Sequence, residues 1–206
     1  MRGDWFNAFK AAHNLEFTPE DYSGWSKMVD ECMPFYLNHL PEGSSMLECC
    51  SGLGCTAIPL SHHYRVTAFD KDEGILEYTR KNAKRFGGDI NVVNADFRSI
   101  VEKFGPDSYD ACSSGGVLEH FSVDEIHELV NKQLTVAPLV FISVPLGDGK
   151  KTTDEHSITR YGYTRRQWLK EILNEHNLVD SMVSESDPKV SGDKPWTELN
   201  IAMRRI

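Results

Sequence analysis

Residues 45–55 read Ser-Met-Leu-Glu-Cys-Cys-Ser-Gly-Leu-Gly-Cys, a short apolar strand that ends in an acid and runs into a turn with two glycines. A tight strand-to-helix turn uses glycine so that a ligand can approach the backbone, and the helix that follows presents free N–H groups. In an open α/β sheet such a turn lies at the carboxyl ends of the strands, where ligands bind. Taken alone, the stretch also fits a plain structural turn.

Outward from this turn, strand-like and helix-like segments alternate. The pattern predicts a strand over Ser45–Cys49, a helix over Cys55–His62 and a strand over Arg65–Phe69 stopped by Asp70. A helix over Gly74–Phe86 follows, with Ile75, Leu76, Tyr78, Thr79, Ala83 and Phe86 as its buried stripe and Gly87-Gly88 as its stop. Further strands are expected at Ile90–Val93, Tyr109–Ser113 and Leu139–Val144, with a helix at Val123–Gln133. Strands alternating with helices predict an α/β fold whose parallel sheet is covered by helices on both faces. After the fifth strand the rhythm changes. Asp148–Gly162 reads as an over-long polar loop, and Thr164-Arg165-Arg166-Gln167 as a capping box opening a helix to about His176. Leu178–Ser184 and Glu198–Met203 are expected to pair as an antiparallel hairpin across loop 187–195, giving a mostly parallel sheet of seven strands. Upstream, Thr18-Pro19-Glu20-Asp21 starts a helix, and Trp25, Met28, Val29, Cys32 and Tyr36 recur at helical spacing until Pro41-Glu42-Gly43. The chain thus divides into an N-terminal helical cap or lid, residues 1–40, and an α/β ligand-binding domain, residues 41–206.

The 206 residues carry 31 Asp and Glu against 22 Lys and Arg, and no basic run exceeds two residues, which argues against nucleic acid as a partner. The apolar stretch Ala137–Leu146 falls far short of a membrane span, and Met1-Arg2-Gly3-Asp4 does not start a secretory signal. Five cysteines, three of them crowding the turn at Cys49, Cys50 and Cys55, fit reduced thiols in a cytoplasmic protein better than a disulfide framework. With no CxxC pair or His at ligand spacing, no metal is expected there.

Three more features fall at strand ends. Asp70, followed by Lys71, lies 22 positions after Glu48, and Asp96-Phe97 follows the third strand. Ser113-Ser114-Gly115-Gly116-Val117-Leu118-Glu119-His120-Phe121 follows the fourth, placing small backbone and an imidazole at the same rim. Asp70 and Asp96 could each also serve as a helix N-cap.

The order and spacing of these features resemble the class I S-adenosylmethionine-dependent methyltransferases, over nearly the whole chain from about Trp25. Glu48 matches the acid of that family's first motif, Gly52 and Gly54 match its second and third glycines, and Cys50 stands where the first glycine usually sits. The resemblance implies a Rossmann-like methyltransferase fold with S-adenosylmethionine as cofactor. It further implies that Asp70 binds the ribose and Asp96 sits by the adenine, with Lys71, Phe97, Gly115 and Glu119 completing the cofactor contacts. Cys50 is where contact with the cofactor is expected to differ. A NAD(P)-dependent oxidoreductase shares the first two signals, and a non-catalytic S-adenosylmethionine-binding protein would share all of them. The terminal hairpin and the Leu-Glu-His turn favour the methyltransferase.

Methyl transfer needs alignment, and a base where the acceptor arrives protonated. The candidates are His120, His156 in Asp154-Glu155-His156, and Tyr161 after Arg160. The Asn/Asp-Pro-Pro-aromatic turn of amino-methylating nucleic-acid enzymes is absent, as is a Pro-Cys nucleophile, since Cys112 follows Ala111. This leaves a small molecule or an exposed amino acid side chain, of which a small-molecule O or N acceptor is the reading carried forward, with Tyr22 and Trp25 as a lid over it. His62 and His63 have no expected role.

Overall fold

Thr18 opens the first helix, α1 (Pro19–His39), through a reciprocal cap: its hydroxyl accepts the Asp21 N–H at 3.1 Å while the Asp21 carboxylate accepts the Thr18 N–H at 2.9 Å. This is the start expected from sequence. The computed structural model describes residues 6–7, 10, 15–153, 158–173, 176–185 and 197–205. The elements that follow are β1 (Ser45–Cys49), α2 (Ala57–Leu60), β2 (Arg65–Asp70), α3 (Glu73–Phe86), β3 (Ile90–Asn94), α4 (Ile100–Phe104), β4 (Ala111–Gly115), α5 (Val123–Val136) and β5 (Leu139–Pro145). Then come β6 (Lys151–Thr153), β7 (Thr159–Tyr161), the short α6 (Arg165–Gln167), β8 (Asn177–Glu185) and β9 (Thr197–Arg204).

Seven strands form one sheet in the order β3-β2-β1-β4-β5-β9-β8. β1 to β5 are parallel, whereas β9 runs antiparallel between β5 and β8. The order reverses direction between β1 and β4, where an open α/β sheet leaves a crevice at its strand ends. Both faces are buried, so the strands read as apolar runs. One face packs Leu47, Phe69, Cys112, Val140, Ile142 and Ile201 against Ile100, Ile126, Val130 and Trp168. The other packs Met46, Val66, Ala68, Ala111, Phe141 and Ala202 against Val29, Met33, Phe35 and Tyr36 of α1 and against Ala57 and Leu60 of α2. Among the described residues no helix is long and apolar enough to cross a membrane.

Five elements depart from the sequence reading. β4 begins two residues late because the backbone N–H groups of Ser108 and Tyr109 donate to Val136 O, and the Asp110 side chain accepts from Ser45 at the start of β1. α2 is shorter than Cys55–His62, since Pro59 has no N–H to give the carbonyl of Cys55. The loop 148–162 contains a two-stranded antiparallel ribbon, β6 with β7, whose cross-strand partners include Lys151 with its ammonium 4.9 Å from the Tyr161 ring centre. The last helix, expected to reach His176, widens after α6 into a π turn, Trp168–Ile172, that seats the fully buried Trp168 edge-on to Tyr163. The short helix α4 was not foreseen at all. The expected terminal hairpin is present as β8 and β9; its connecting loop lies outside the described residues.

The ribbon crosses back over the end of β5 through backbone contact between two glycines. Gly147 N–H donates to Tyr163 O at 3.0 Å, and a Cβ placed on Gly147 would lie 2.3 Å from Gly162 Cα. Gly147→Ala must therefore part the ribbon from β5. Tryptic cleavage at Lys150 and Lys151 should accelerate several-fold while the melting temperature falls by only about 2–4 °C, the shift of a local loss near 1 kcal/mol in a chain of this size. Unchanged cleavage would refute this account of the crossing.

Candidate functional site

The turn after β1 is built on three left-handed residues, Cys50 (φ 54°), Gly52 (φ 51°) and Gly54 (φ 88°). Cys50, at the place of a glycine, adopts the conformation a glycine takes without steric cost. The turn is tied from three sides. Ser51 N–H donates to Phe69 O at 2.8 Å, the Thr79 hydroxyl to Gly52 O at 2.6 Å, and the Asn82 amide to Leu53 O at 3.2 Å. Gly52 N–H donates to Asp70 Oδ2 at 3.3 Å.

Above the carboxyl ends of the strands lies a cavity of about 900 Å³. At one end it is lined by Gly52, Asp70, Lys71, Asp96, Phe97 and Val117. At the other it is lined by Tyr36, Ser143, Arg160, Tyr161, Glu198 and Asn200, with Glu48, Cys50, Gly115, Glu119 and His120 between. α1 roofs it with Trp25 and Met28. Every cofactor candidate named from sequence except Gly54 thus lines one cavity; Gly54 sits beneath it, where a Cβ would press on Ile58 and Thr79.

Asp70 is 4% exposed, and its Oδ1 accepts the Asp72 N–H at 3.1 Å. It does not cap α3; Asp72 does, accepting from Gly74 and Ile75. Asp96 does act as an N-cap, accepting Arg98 N–H at 2.8 Å, while its side chain also lines the cavity. The cap and ligand roles exclude each other at neither residue.

His120 Nδ1 lies 2.8 Å from Thr159 O of the ribbon. A carbonyl only accepts, so Nδ1 holds the proton and Nε2 of the neutral ring carries the lone pair. Nε2 is 3.8 Å from Glu119 Oε1. Tyr161 lines the cavity and stacks on Tyr163 at 5.5 Å. His156 lies outside the described residues. Of the two lid aromatics, Trp25 lines the cavity, but Tyr22 stacks on Phe86 at 4.3 Å and meets His62 Nε2 at 3.2 Å, so it is packing. His63 pairs with Glu42 at the surface. All five cysteines are free thiols, and among the described residues no group of three or more His, Cys, Asp or Glu is arranged around a metal position.

Sequence reasoning missed a polar floor. On the α1-facing side of the sheet, Glu48 of β1, Ser113 of β4, Ser143 of β5, and Glu198 and Asn200 of β9 interrupt an otherwise apolar surface. The Ser113 hydroxyl donates to Glu48 Oε2, and the Ser143 hydroxyl donates to Glu198 Oε2 at 2.9 Å. Burial pushes Glu48 up from its usual 4.5 to about 7, against the pull of Ser113. Burial likewise pushes Glu119 to about 7, with Arg160 opposing and Glu198 assisting.

Both carboxyls therefore bind a proton more tightly in the folded chain than in the unfolded one. Their contribution is fully present below pH 4.5 and is lost as the pH climbs to about 7, on the order of 3 kcal/mol for each group. Melting temperature of the ligand-free protein should fall between pH 5 and 7.5, and the Glu48→Gln/Glu119→Gln double variant should be nearly flat across that range. A double variant that keeps the wild-type slope would show that other groups set it.

Residues 46–137 match the family described as Methyltransferase domain. Sequence comparison with curated proteins returns no match. Among solved structures, a SAM-dependent methyltransferase from Methanosarcina mazei superposes with a TM-score of 0.68 at 16% identity, over 84% of this chain and 98% of that one. Magnesium protoporphyrin IX methyltransferase from Synechocystis, solved with S-adenosylhomocysteine, gives 0.66 at 16% identity over 99% and 96%. The 1,6-didemethyltoxoflavin-N1-methyltransferase of Burkholderia thailandensis gives 0.69 at 19% identity over 99% and 87%. Residues 46–137 thus carry a methyltransferase domain of that family, and the chain shares its fold with these enzymes.

Proposed function

We propose that the chain transfers the methyl group of S-adenosylmethionine to an oxygen or nitrogen of a small-molecule acceptor held in the same cavity. One observation carries this reading: a single cavity of about 900 Å³ joins the ends of β1, β2 and β3 to the ends of β5 and β9. Pockets for one drug-sized ligand span roughly 300–1,000 Å³, so this one has room for a cofactor and a compact acceptor side by side.

The residues fit the cofactor. Each oxygen of Asp70 accepts one backbone N–H and retains capacity for a ribose hydroxyl. Asp96 would accept from the adenine amine with Phe97 against the ring, Lys71 closes the rim, and Gly52, Gly54 and Gly115 keep the backbone thin. Cys50 adds a thiol to the wall at the point where a glycine would leave space. Glu48 and Glu119 put negative charge in the middle of the cavity, towards the cationic part of the cofactor. When bound, S-adenosylmethionine supplies an electrophilic methyl carbon and a neutral thioether leaving group.

The protein's own part is alignment, exclusion of water and one proton. His120, its tautomer set by Thr159 O, is the base that takes the acceptor's proton at Nε2; Glu119, 3.8 Å away, stabilises the resulting imidazolium. Tyr161 is a further group at the acceptor end, and His156 stays a candidate from the sequence alone. Residues 1–40 serve as the cap, through Trp25 and Met28, and residues 41–206 as the catalytic domain. The free thiols suit a cytoplasmic enzyme.

Calorimetry with S-adenosylhomocysteine tests the cofactor site. Wild type should bind it and not NAD, and Asp70→Ala should weaken it by about 10–100-fold, the cost of hydrogen bonds to a charged group. Unaltered affinity in that variant would refute the ribose assignment. Once an acceptor is in hand, His120→Asn should lower kcat by about 10²–10⁴ while leaving S-adenosylhomocysteine affinity within about two-fold. An unaffected kcat would remove His120 from the chemistry.

A further inference from the structure

The acceptor end of the cavity has a marked charge sign. Glu198 lines it, Glu119 and Glu48 border it from the middle of the cavity, and Arg160 and His120 are basic side chains beside them. Trp25, Tyr36 and Tyr161 supply aromatic walls. Glu198 and Glu48 are held in the same way, each by the hydroxyl of a serine on the neighbouring strand that takes up one carboxylate oxygen. Such anchoring fixes both carboxylates on the floor of the cavity.

Glu119 adds an independent observation. It is 2% exposed, and its Oε2 is buried without a hydrogen-bond partner among the described residues. A buried acceptor left unmet is costly, on the order of 1–3 kcal/mol, and more so for a charged one. The sulfonium of the cofactor is bonded to carbon on all sides and has no N–H to give it. Two ligand groups can give the missing N–H: the α-ammonium of the cofactor's methionine moiety, or an amine on the acceptor, and the Glu119 variant below tells them apart.

From this geometry, and resting on the methyltransferase reading above, we propose that the acceptor is a small amine, protonated in solution, whose nitrogen is received between Glu119 and Glu198 and becomes the methylated atom. A carboxylate or phenolate acceptor would meet the Glu198 carboxylate with Glu119 beside it, whereas an ammonium meets complementary charge, gives an N–H to the unmet oxygen, and faces aromatic rings that favour cations. In the transfer the ammonium gives one N–H proton to His120 Nε2. The freed lone pair forms the new N–C bond as the methyl carbon's bond to sulfur breaks, and that bonding pair stays on sulfur. The product leaves as the N-methylated ammonium, and the imidazolium returns its proton to water.

The test uses the full chain saturated with S-adenosylhomocysteine and matched probes of one skeleton: 2-phenylethylamine, 2-phenylethanol and 3-phenylpropionate, with a panel of arylalkylamines and their alcohol and acid counterparts. Calorimetry should show the amines binding at least about ten-fold tighter than their counterparts, and mass spectrometry with S-adenosylmethionine should show methylation on nitrogen. Glu198→Gln should erase the preference for amines with S-adenosylhomocysteine affinity unchanged, which also reports that the variant is folded. Glu119→Gln should weaken the amines by about ten-fold or more, and by more than it weakens S-adenosylhomocysteine. Alcohols or acids binding as well as amines, a preference that survives Glu198→Gln, or a Glu119→Gln variant that loses S-adenosylhomocysteine instead of amine would each overturn the proposal. In the last case Glu119 serves the cofactor's own ammonium. Failure of wild type to bind S-adenosylhomocysteine at all would instead overturn the reading beneath it, and the proposal with it.

Discussion

The turn from β1 into α2 is held by side chains that come from elsewhere in the chain, and the rest of the site is arranged around that restraint. Thr79 and Asn82 reach from α3 to the carbonyls of Gly52 and Leu53, and Asp70 reaches from β2 to the Gly52 amide. Thr79 and Asn82 are at most 1% exposed, so each is committed to this task. A non-glycine residue at φ 54° costs about 1 kcal/mol or more, and such a residue persists where its surroundings over-determine the backbone. Cys50 is in that position. The same bonds that fix the turn also point the Asp70 carboxylate at the cavity, so the strained backbone and the ligand-facing acid are one assembly.

The parts of the fold that were legible in the sequence are those governed by short-range pattern. β1 matched residue for residue, and the Thr18 and Thr164 caps could be named because each is written in four consecutive residues. The apolar runs of β2 and β5 were visible because a parallel sheet buries both sides of its inner strands. Where the sequence misled, a distant partner had intervened. β4 starts late because Ser108 and Tyr109 are drawn to Val136, and the ribbon in 148–162 has only three pairs, too short to show a period against its polar surroundings.

The cofactor side of the candidate site was legible for a similar reason. Its residues sit at strand ends, and strand ends can be found from pattern alone. The acceptor side was not. Ser113 meets Glu48 across 65 positions of sequence, and Ser143 meets Glu198 across 55. Each serine stands in a run that looks like ordinary buried strand. Only the strand order, with β9 inserted beside β5, brings Glu198 to the floor that Glu48 begins.

The ribbon joins these two halves. It roofs the acceptor end with Arg160 and Tyr161, and it presents the Thr159 carbonyl that holds the proton on His120 Nδ1. Both functions depend on one crossing, the backbone contact of Gly147 with Gly162, reinforced by Gly149 N–H donating to Gly162 O at 2.6 Å. Closure over the acceptor and placement of the imidazole lone pair are thus set by the same segment. If the ribbon lifted, Nδ1 would lose the carbonyl that favours its proton, and the tautomer with its lone pair at Nε2 would lose its advantage. With His120 as the proposed base, this coupling would make the base ready only when the cavity is covered, which suits a transfer that must keep water away from an electrophilic methyl group.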